Sequence, residues 1–121
     1  MAVTADEYAA AIEWRAEIRD AFDRALNDFD AILTPTTAAL TKPIGQETLQ
    51  LTTGEKHYRA PLSHFTSMVN NAGLPALALP VAGTGTPPLS MHLITRAWSE
   101  SRLLAIGRGL ESAGVSASGN G

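Results

Sequence analysis

Apolar positions in the first quarter of the chain recur at intervals of three and four. Tyr8, Ala11, Ile12, Ile18, Phe22, Ala25 and Leu26 make one stripe, the spacing of a helix with one buried face. The pattern predicts a helix over residues 4 to about 27. Thr4 and Glu7 stand three apart at its start, as in a capping box. Arg15 interrupts the stripe, and its aliphatic stem can pack along it. Trp14 lies off the stripe, where it would meet a second surface. The helical period then stops. FDAILTP, residues 29–35, is short, apolar and closed by proline, and reads as a buried strand.

Pro35, Pro43, Gly45 and Gly54 punctuate residues 35–60, so a loop is expected there. TLQLT, 48–52, reads as a short strand or a helical turn within it. A loop of this length in a small domain is unusual and tends to be functional or mobile. Helical spacing returns in PLSHFTSMVNNA, where Leu62, Phe65, Val69 and Ala72 share a face. Pro61 suits a first helical turn. Gly73 suits the left-handed residue just past the end, and Pro75 forbids continuation. ALALPV, 76–81, and LSMHLIT, 89–95, are too short for helices. They read as two strands of a hairpin, with GTGTPP, 83–88, as the turn and Leu89, Met91 and Leu93 alternating. Pro80 then belongs at a strand end or on an edge. Ser99 is placed to cap a last helix, with Glu100 in its first turn. Leu103, Leu104, Gly107 and Leu110 form that helix's packing face, and residues 113–121 read as a flexible tail.

Composition narrows the functional classes. The chain has 121 residues, enough for one domain with a modest core. Nine basic and twelve acidic residues give a net charge of −3, which offers no basic patch to nucleic acid or an anionic membrane. The absence of cysteine removes disulfides, thiolate catalysis and cysteine-ligated zinc. No apolar run approaches the ~20 residues of a membrane span. MAVTADEY carries no basic-plus-apolar leader pattern, and a cytoplasmic location is expected. The three histidines, His57, His64 and His92, match no common metal spacing, so no metal or other cofactor is expected. No serine stands in a G-x-S-x-G elbow, and GTGTPP lacks the third glycine and following helix of a dinucleotide site.

Three phrases in order carry a family resemblance. FDAILTPTT resembles the strand and loop "yDvLltPttp" of the amidase signature family. FTSMVNNAGLPALALPV resembles its "fTrpfNltGlPAlslPvG" segment. PPLSMHLITRAWSESRLL resembles "GlPvGlQLvGrpfdEarLL", with Arg96, Glu100, Leu103 and Leu104 in matching places. Together they cover nearly all of residues 28–112. Ser90 stands where the family usually has Gly, His92 where it has Gln, Thr95 where it has Gly, and Asn71 where it has Leu. The resemblance implies α/β architecture: three helices packed on a small sheet with a C-terminal β-hairpin, forming part of a larger mixed-sheet fold.

The resemblance also implies hydrolysis of carboxylic amides by a Ser nucleophile, a second Ser and a Lys. Those residues belong to earlier parts of the family's chain, and no Gly- and Ser-rich signature occurs here. Lys42 and Lys56 are the only lysines, and both read as solvated loop residues rather than as a catalytic lysine held beside serine. No catalytic residue is therefore assigned. His64, on the helix before NNAGLP, is a candidate substrate-binding residue, because an acidic residue at the matching position contacts substrate in one branch of the family. Asn70 matches the family's Asn and is a second candidate, or else bonds loop backbone. Thr36 and Thr37 follow the first strand and would border the cleft. A two-stranded hairpin severed from its sheet leaves an open edge. The expected partners are thus a protein chain or a second copy at that edge, and a small-molecule amide once catalytic residues are supplied. The competing expectation is a non-catalytic binding or assembly module derived from an amidase.

Overall fold

A computed structural model describes residues 2–83 and 89–116. Helix α1 spans Ala5–Asp28. Thr4 caps it: its hydroxyl accepts from the Glu7 N–H at 3.2 Å, and the Glu7 carboxylate accepts from the Thr4 N–H at 2.8 Å, so two N-terminal donors are satisfied reciprocally. The last turn of α1 carries no basic residue. Arg96 supplies the missing cation from seventy residues away, donating from Nε and Nη2 to the Leu26 carbonyl at 3.2 and 2.7 Å and from Nη2 to Asn27 Oδ1 at 2.6 Å. A guanidinium fork at a helix C-terminus satisfies orphan carbonyls and complements the dipole.

Strand β1 is Ile32–Pro35, β2 is Thr48–Leu51 and β3 is Gly54–His57. Helix α2 is Arg59–Ala72, β4 is Ala76–Pro80, β5 is Ser90–Ile94 and α3 is Glu100–Ser112. The expected hairpin of β4 and β5 is present and antiparallel, with Leu79 opposite Met91 and Leu77 opposite Leu93. β1 adds to the other side of β5, with Leu33 opposite Leu93, giving the order β1-β5-β4. The GTGTPP turn falls largely on residues 84–88, outside the described residues.

Two apolar clusters hold the layers. Val69, Ala72, Leu74 and Ile94 pack with Ile18 and Phe22, joining α1 and α2 to one end of the sheet. Leu79, Met91, Leu93 and Leu103 pack with Ile106 and Leu110, joining α3 to one sheet face. Gly73 closes α2 at φ 68°, ψ 39°. This is the left-handed conformation that only glycine adopts without steric cost.

The structure corrects five expectations. Residues 48–57 form a second hairpin rather than one short strand in a loop, because Gly54 at φ 98° lets the chain reverse after Thr52-Thr53. β5 does not alternate between core and solvent: Met91 through Thr95 are all buried, since β5 is the central strand with neighbours on both sides. The stripe on α1 is buried only at its C-terminal half. Tyr8 and Ile12 are exposed, as is Leu104 on α3. Ser99 occupies the N-cap position of α3 but its hydroxyl donates back to the Arg96 carbonyl. The tail reading begins too early as well. Val115 and Ser116 fold back onto the Leu110 carbonyl, and Ser116 pairs with Val81; residues 117–121 lie outside the described set.

Candidate functional site: two grooves on either side of Phe65

β1 ends in Pro35, and the chain then leaves the sheet as the 36–41 loop, which lies against α2 where the Ala38 N–H donates to the Pro61 carbonyl at 2.9 Å. This crossing makes two grooves. The first, about 910 Å³, runs between the end of β1, the loop and the N-terminal part of α2. Leu33, Leu40, Leu62, Phe65, Leu89 and Met91 line it. The second, about 820 Å³, lies between the same loop, α2 and the β2–β3 hairpin, with Leu49, Leu51, Lys56, Pro61, His64 and Phe65 in its walls. Phe65 belongs to both. Volumes of this order suit a small-molecule ligand.

The first groove is largely apolar. Its polar feature is a hydroxyl pair, Thr36 Oγ1 and Ser90 Oγ, 2.7 Å apart. Beside it the Thr36 N–H donates to the Ser90 carbonyl at 3.1 Å, so the loop leaves β1 in a fixed direction. Thr36 and Thr37 border this groove. His64 is an exposed residue of α2 whose ring meets Phe65 edge-on at 5.0 Å and lines the second groove. Asn70 is also exposed but lines neither groove. Its backbone carbonyl accepts the Gly73 N–H at 3.2 Å at the helix end.

The two lysines are placed differently. The Lys42 ammonium lies 4.4 Å above the Tyr58 ring, a cation–π contact. Tyr58 in turn stacks on His57, and His57 Nε2 lies 3.4 Å from a Glu47 carboxylate oxygen. Lys56 stands on β3 in the wall of the second groove. The sequence could not assign it there without the hairpin, although Thr52-Thr53-Gly54, leading from TLQL into β3, is a turn signal. Among the described residues no three His, Asp or Glu side chains gather as a metal site, and no helix is long and apolar enough to cross a membrane.

Comparison with known proteins agrees with this fold. The family model described as Amidase matches residues 1–104. The chain belongs to the amidase family, the amidase-signature enzymes whose phrases it carries. It is 33% identical over 105 residues to the glutamyl-tRNA(Gln) amidotransferase subunit of Alkaliphilus metalliredigens (strain QYMF), covering 86% of this chain and 20% of that protein. It is 34% identical over 111 residues to the fatty acid amide hydrolase of Oryza sativa subsp. indica, covering 89% of this chain and 18% of that protein. A crystal structure of an amidase superposes with a TM-score of 0.83 at 29% identity, over 92% of this chain and 26% of that one. The chain thus spans about one-fifth of the length of the curated relatives it matches.

Proposed function

We propose that this chain forms one wall of the substrate cleft of an amidase-signature hydrolase, and that the Ser, Ser and Lys of the chemistry come from polypeptide outside it. The observation that carries the reading is the pair of grooves on either side of Phe65. They are open, largely apolar and built where a strand ends in a loop, the part of a sheet protein that most often meets ligand. Opposed to a catalytic surface, they would hold the apolar portion of a carboxylic amide. His64 would sit beside that portion as a polar selector. Asn70, outside both grooves, serves the helix end in this reading.

The chemistry is acyl transfer from the amide nitrogen to a serine oxygen, then to water. The contribution of this chain is binding and orientation, which lowers the barrier by holding the carbonyl in reach of the nucleophile. Burial of each methylene of an acyl chain in an apolar groove is worth up to ~0.8 kcal/mol. The test uses the native assembly that contains this chain and a series of linear acyl anilides. kcat/KM is expected to rise with acyl length until the groove is filled. The 121-residue chain alone is expected to release no aniline. A kcat/KM indifferent to acyl length would remove the groove from the substrate site. Turnover by the chain alone, after removal of contaminating enzyme, would show that it carries its own nucleophile.

A further inference from the structure

The polar point of the first groove is built by strand register. Pro35 of β1 lies opposite Met91 of β5, and the Thr36 N–H bonds the Ser90 carbonyl at 3.1 Å. The pairing therefore carries on for one residue past the end of β1. Side chains alternate across a strand, and Met91 and Leu93 pack with Leu103 of α3. Ser90 and His92 therefore share the opposite face, with Thr36 and Thr34 beside them. Two polar rungs result: Thr34 Oγ1 with His92 Nδ1 at 3.4 Å, and Thr36 Oγ1 with Ser90 Oγ at 2.7 Å.

The hydroxyls of the groove differ in what holds their hydrogens. A hydroxyl has one hydrogen and two lone pairs. Thr34 gives its hydrogen to the Pro35 carbonyl at 3.1 Å, and Thr37 gives its hydrogen to the Ala39 carbonyl at 2.9 Å. In the Thr36–Ser90 rung one hydroxyl donates to the other. Whichever donates, the other keeps its hydrogen, and among the described residues neither hydroxyl bonds anything else. Both residues line the groove and are half-buried. Thr41, which carries the groove's remaining hydroxyl, is an exposed loop residue. The rung thus presents one free O–H, fixed in place by the backbone bond behind it. Glycine, which the family phrase carries at position 90, would leave Thr36 without this partner.

The walls around the rung decide what can meet that hydrogen. Leu33, Leu40, Leu62, Phe65, Leu89 and Met91 supply the apolar lining. Among the described residues no Lys, Arg, His, Asp or Glu lines this groove. A carboxylate or an ammonium entering it would lose hydration with no opposite charge to replace it. An uncharged oxygen loses far less, and the free O–H replaces the bond it had to water.

We propose that the Thr36–Ser90 hydroxyl pair is a specificity site for the acyl portion of the substrate. It selects amides whose otherwise apolar acyl chain carries one uncharged acceptor oxygen, an ether or a ketone, at a fixed distance from the scissile carbonyl. The inference deepens the functional reading above and rests on it.

The test uses the native assembly that contains this chain, with octanoyl anilide and the set of anilides in which an ether oxygen replaces one methylene of that chain at each position in turn. The replacement holds length and shape nearly constant. Oxygen close to the carbonyl also alters its reactivity. Each kcat/KM is therefore divided by that of the same anilide in the assembly carrying Thr36→Val and Ser90→Ala together, so that intrinsic reactivity cancels. The quotient is expected to peak at one oxygen position, at least about fivefold above its value for octanoyl anilide, as for one net hydrogen bond. If the double variant fails to assemble, Thr36→Val and Ser90→Ala measured singly take its place, and at least one of them must give the peak. Rates that rise with acyl length but a quotient flat across all oxygen positions would overturn the specificity site and leave the functional reading standing. Rates indifferent to acyl length, or no release of aniline by the assembly, would overturn both.

Discussion

Gly107 on α3 lies so close to Leu77 on β4 that a Cβ built at Gly107 would stand 2.6 Å from Leu77 Cδ2. Two residues on, Gly109 has no neighbouring atom within 4 Å of the same position. Helix propensity treats the two glycines alike, and tertiary packing does not. Gly109→Ala should stabilise the chain by about 0.5–1 kcal/mol, through reduced backbone entropy in the unfolded state and better helix propensity. Gly107→Ala gains the same propensity but must displace Leu77 or lift α3, at a cost of about 1–3 kcal/mol. The alanine at 107 is therefore expected to melt below the alanine at 109. Equal or reversed melting temperatures would show that α3 does not approach β4 this closely.

Arg96 ties the end of α1 to the end of β5 through three hydrogen bonds to Leu26 and Asn27. A bond to a charged donor contributes about 1.5–3 kcal/mol where it is shielded from water, and these are at most partly shielded. Arg96→Ala should cost about 1–2 kcal/mol in a denaturant titration. Arg96→Lys should recover only a fraction, since an ammonium cannot present the planar fork. Full recovery by lysine would mean that charge at the helix end is what matters, not geometry.

What the sequence discloses and what it withholds divide along a physical line. Local signals were read correctly: the Thr4–Glu7 box, the Gly73 stop, and Pro80 at the end of an edge strand. Each depends on residues within four positions of one another. β3 was missed because GEKH has no apolar alternation, and its partner TLQL supplies the only apolar face of that hairpin. The half-exposed stripe of α1 misled for another reason. Helical spacing reports a face that can be buried, and α2 covers only its far half. The pairing of β1 with β5 and the grooves beside Phe65 join segments more than twenty residues apart, which periodicity cannot see. His64 was singled out for the family residue it replaces just before the FTSMV phrase, whereas Lys56, which shares the second groove with it, read only as a loop lysine.

Trp98 has φ 63° and is 92% exposed. A left-handed conformation costs a bulky residue about 1–2 kcal/mol, and so exposed a ring regains little of that by packing within this chain. Trp98→Gly should raise the stability of the isolated chain by several tenths to about 1 kcal/mol, the strain relief being offset in part by glycine's greater unfolded-state freedom. Thermal denaturation of the two proteins reads this directly. A lower melting temperature for the glycine variant would mean that the indole makes a contact worth more than the strain.

His92 connects the sheet to pH. It lies on the central strand, 6% exposed, with Nδ1 3.4 Å from the Thr34 hydroxyl of β1. Burial holds its imidazole below the ordinary value near 6.5, because the charged form loses hydration. The sign follows from proton counting. Between the folded and unfolded values the unfolded chain binds more protons, so stability rises with pH there. The neutral His92 contributes fully above about 6.5. As pH falls below that value the contribution is lost progressively, and the loss levels off once the folded-state value is passed. His92→Gln places an uncharged side chain at the same position. The exposed His57 and His64 remain in both proteins and cancel in the comparison. The stability difference between wild type and His92→Gln, followed by urea titration from pH 8 to about pH 4, should shift toward the Gln variant through this window. A difference independent of pH would show that His92 is charged as readily in the folded chain as in the unfolded one, and that the strand at its back is open to water.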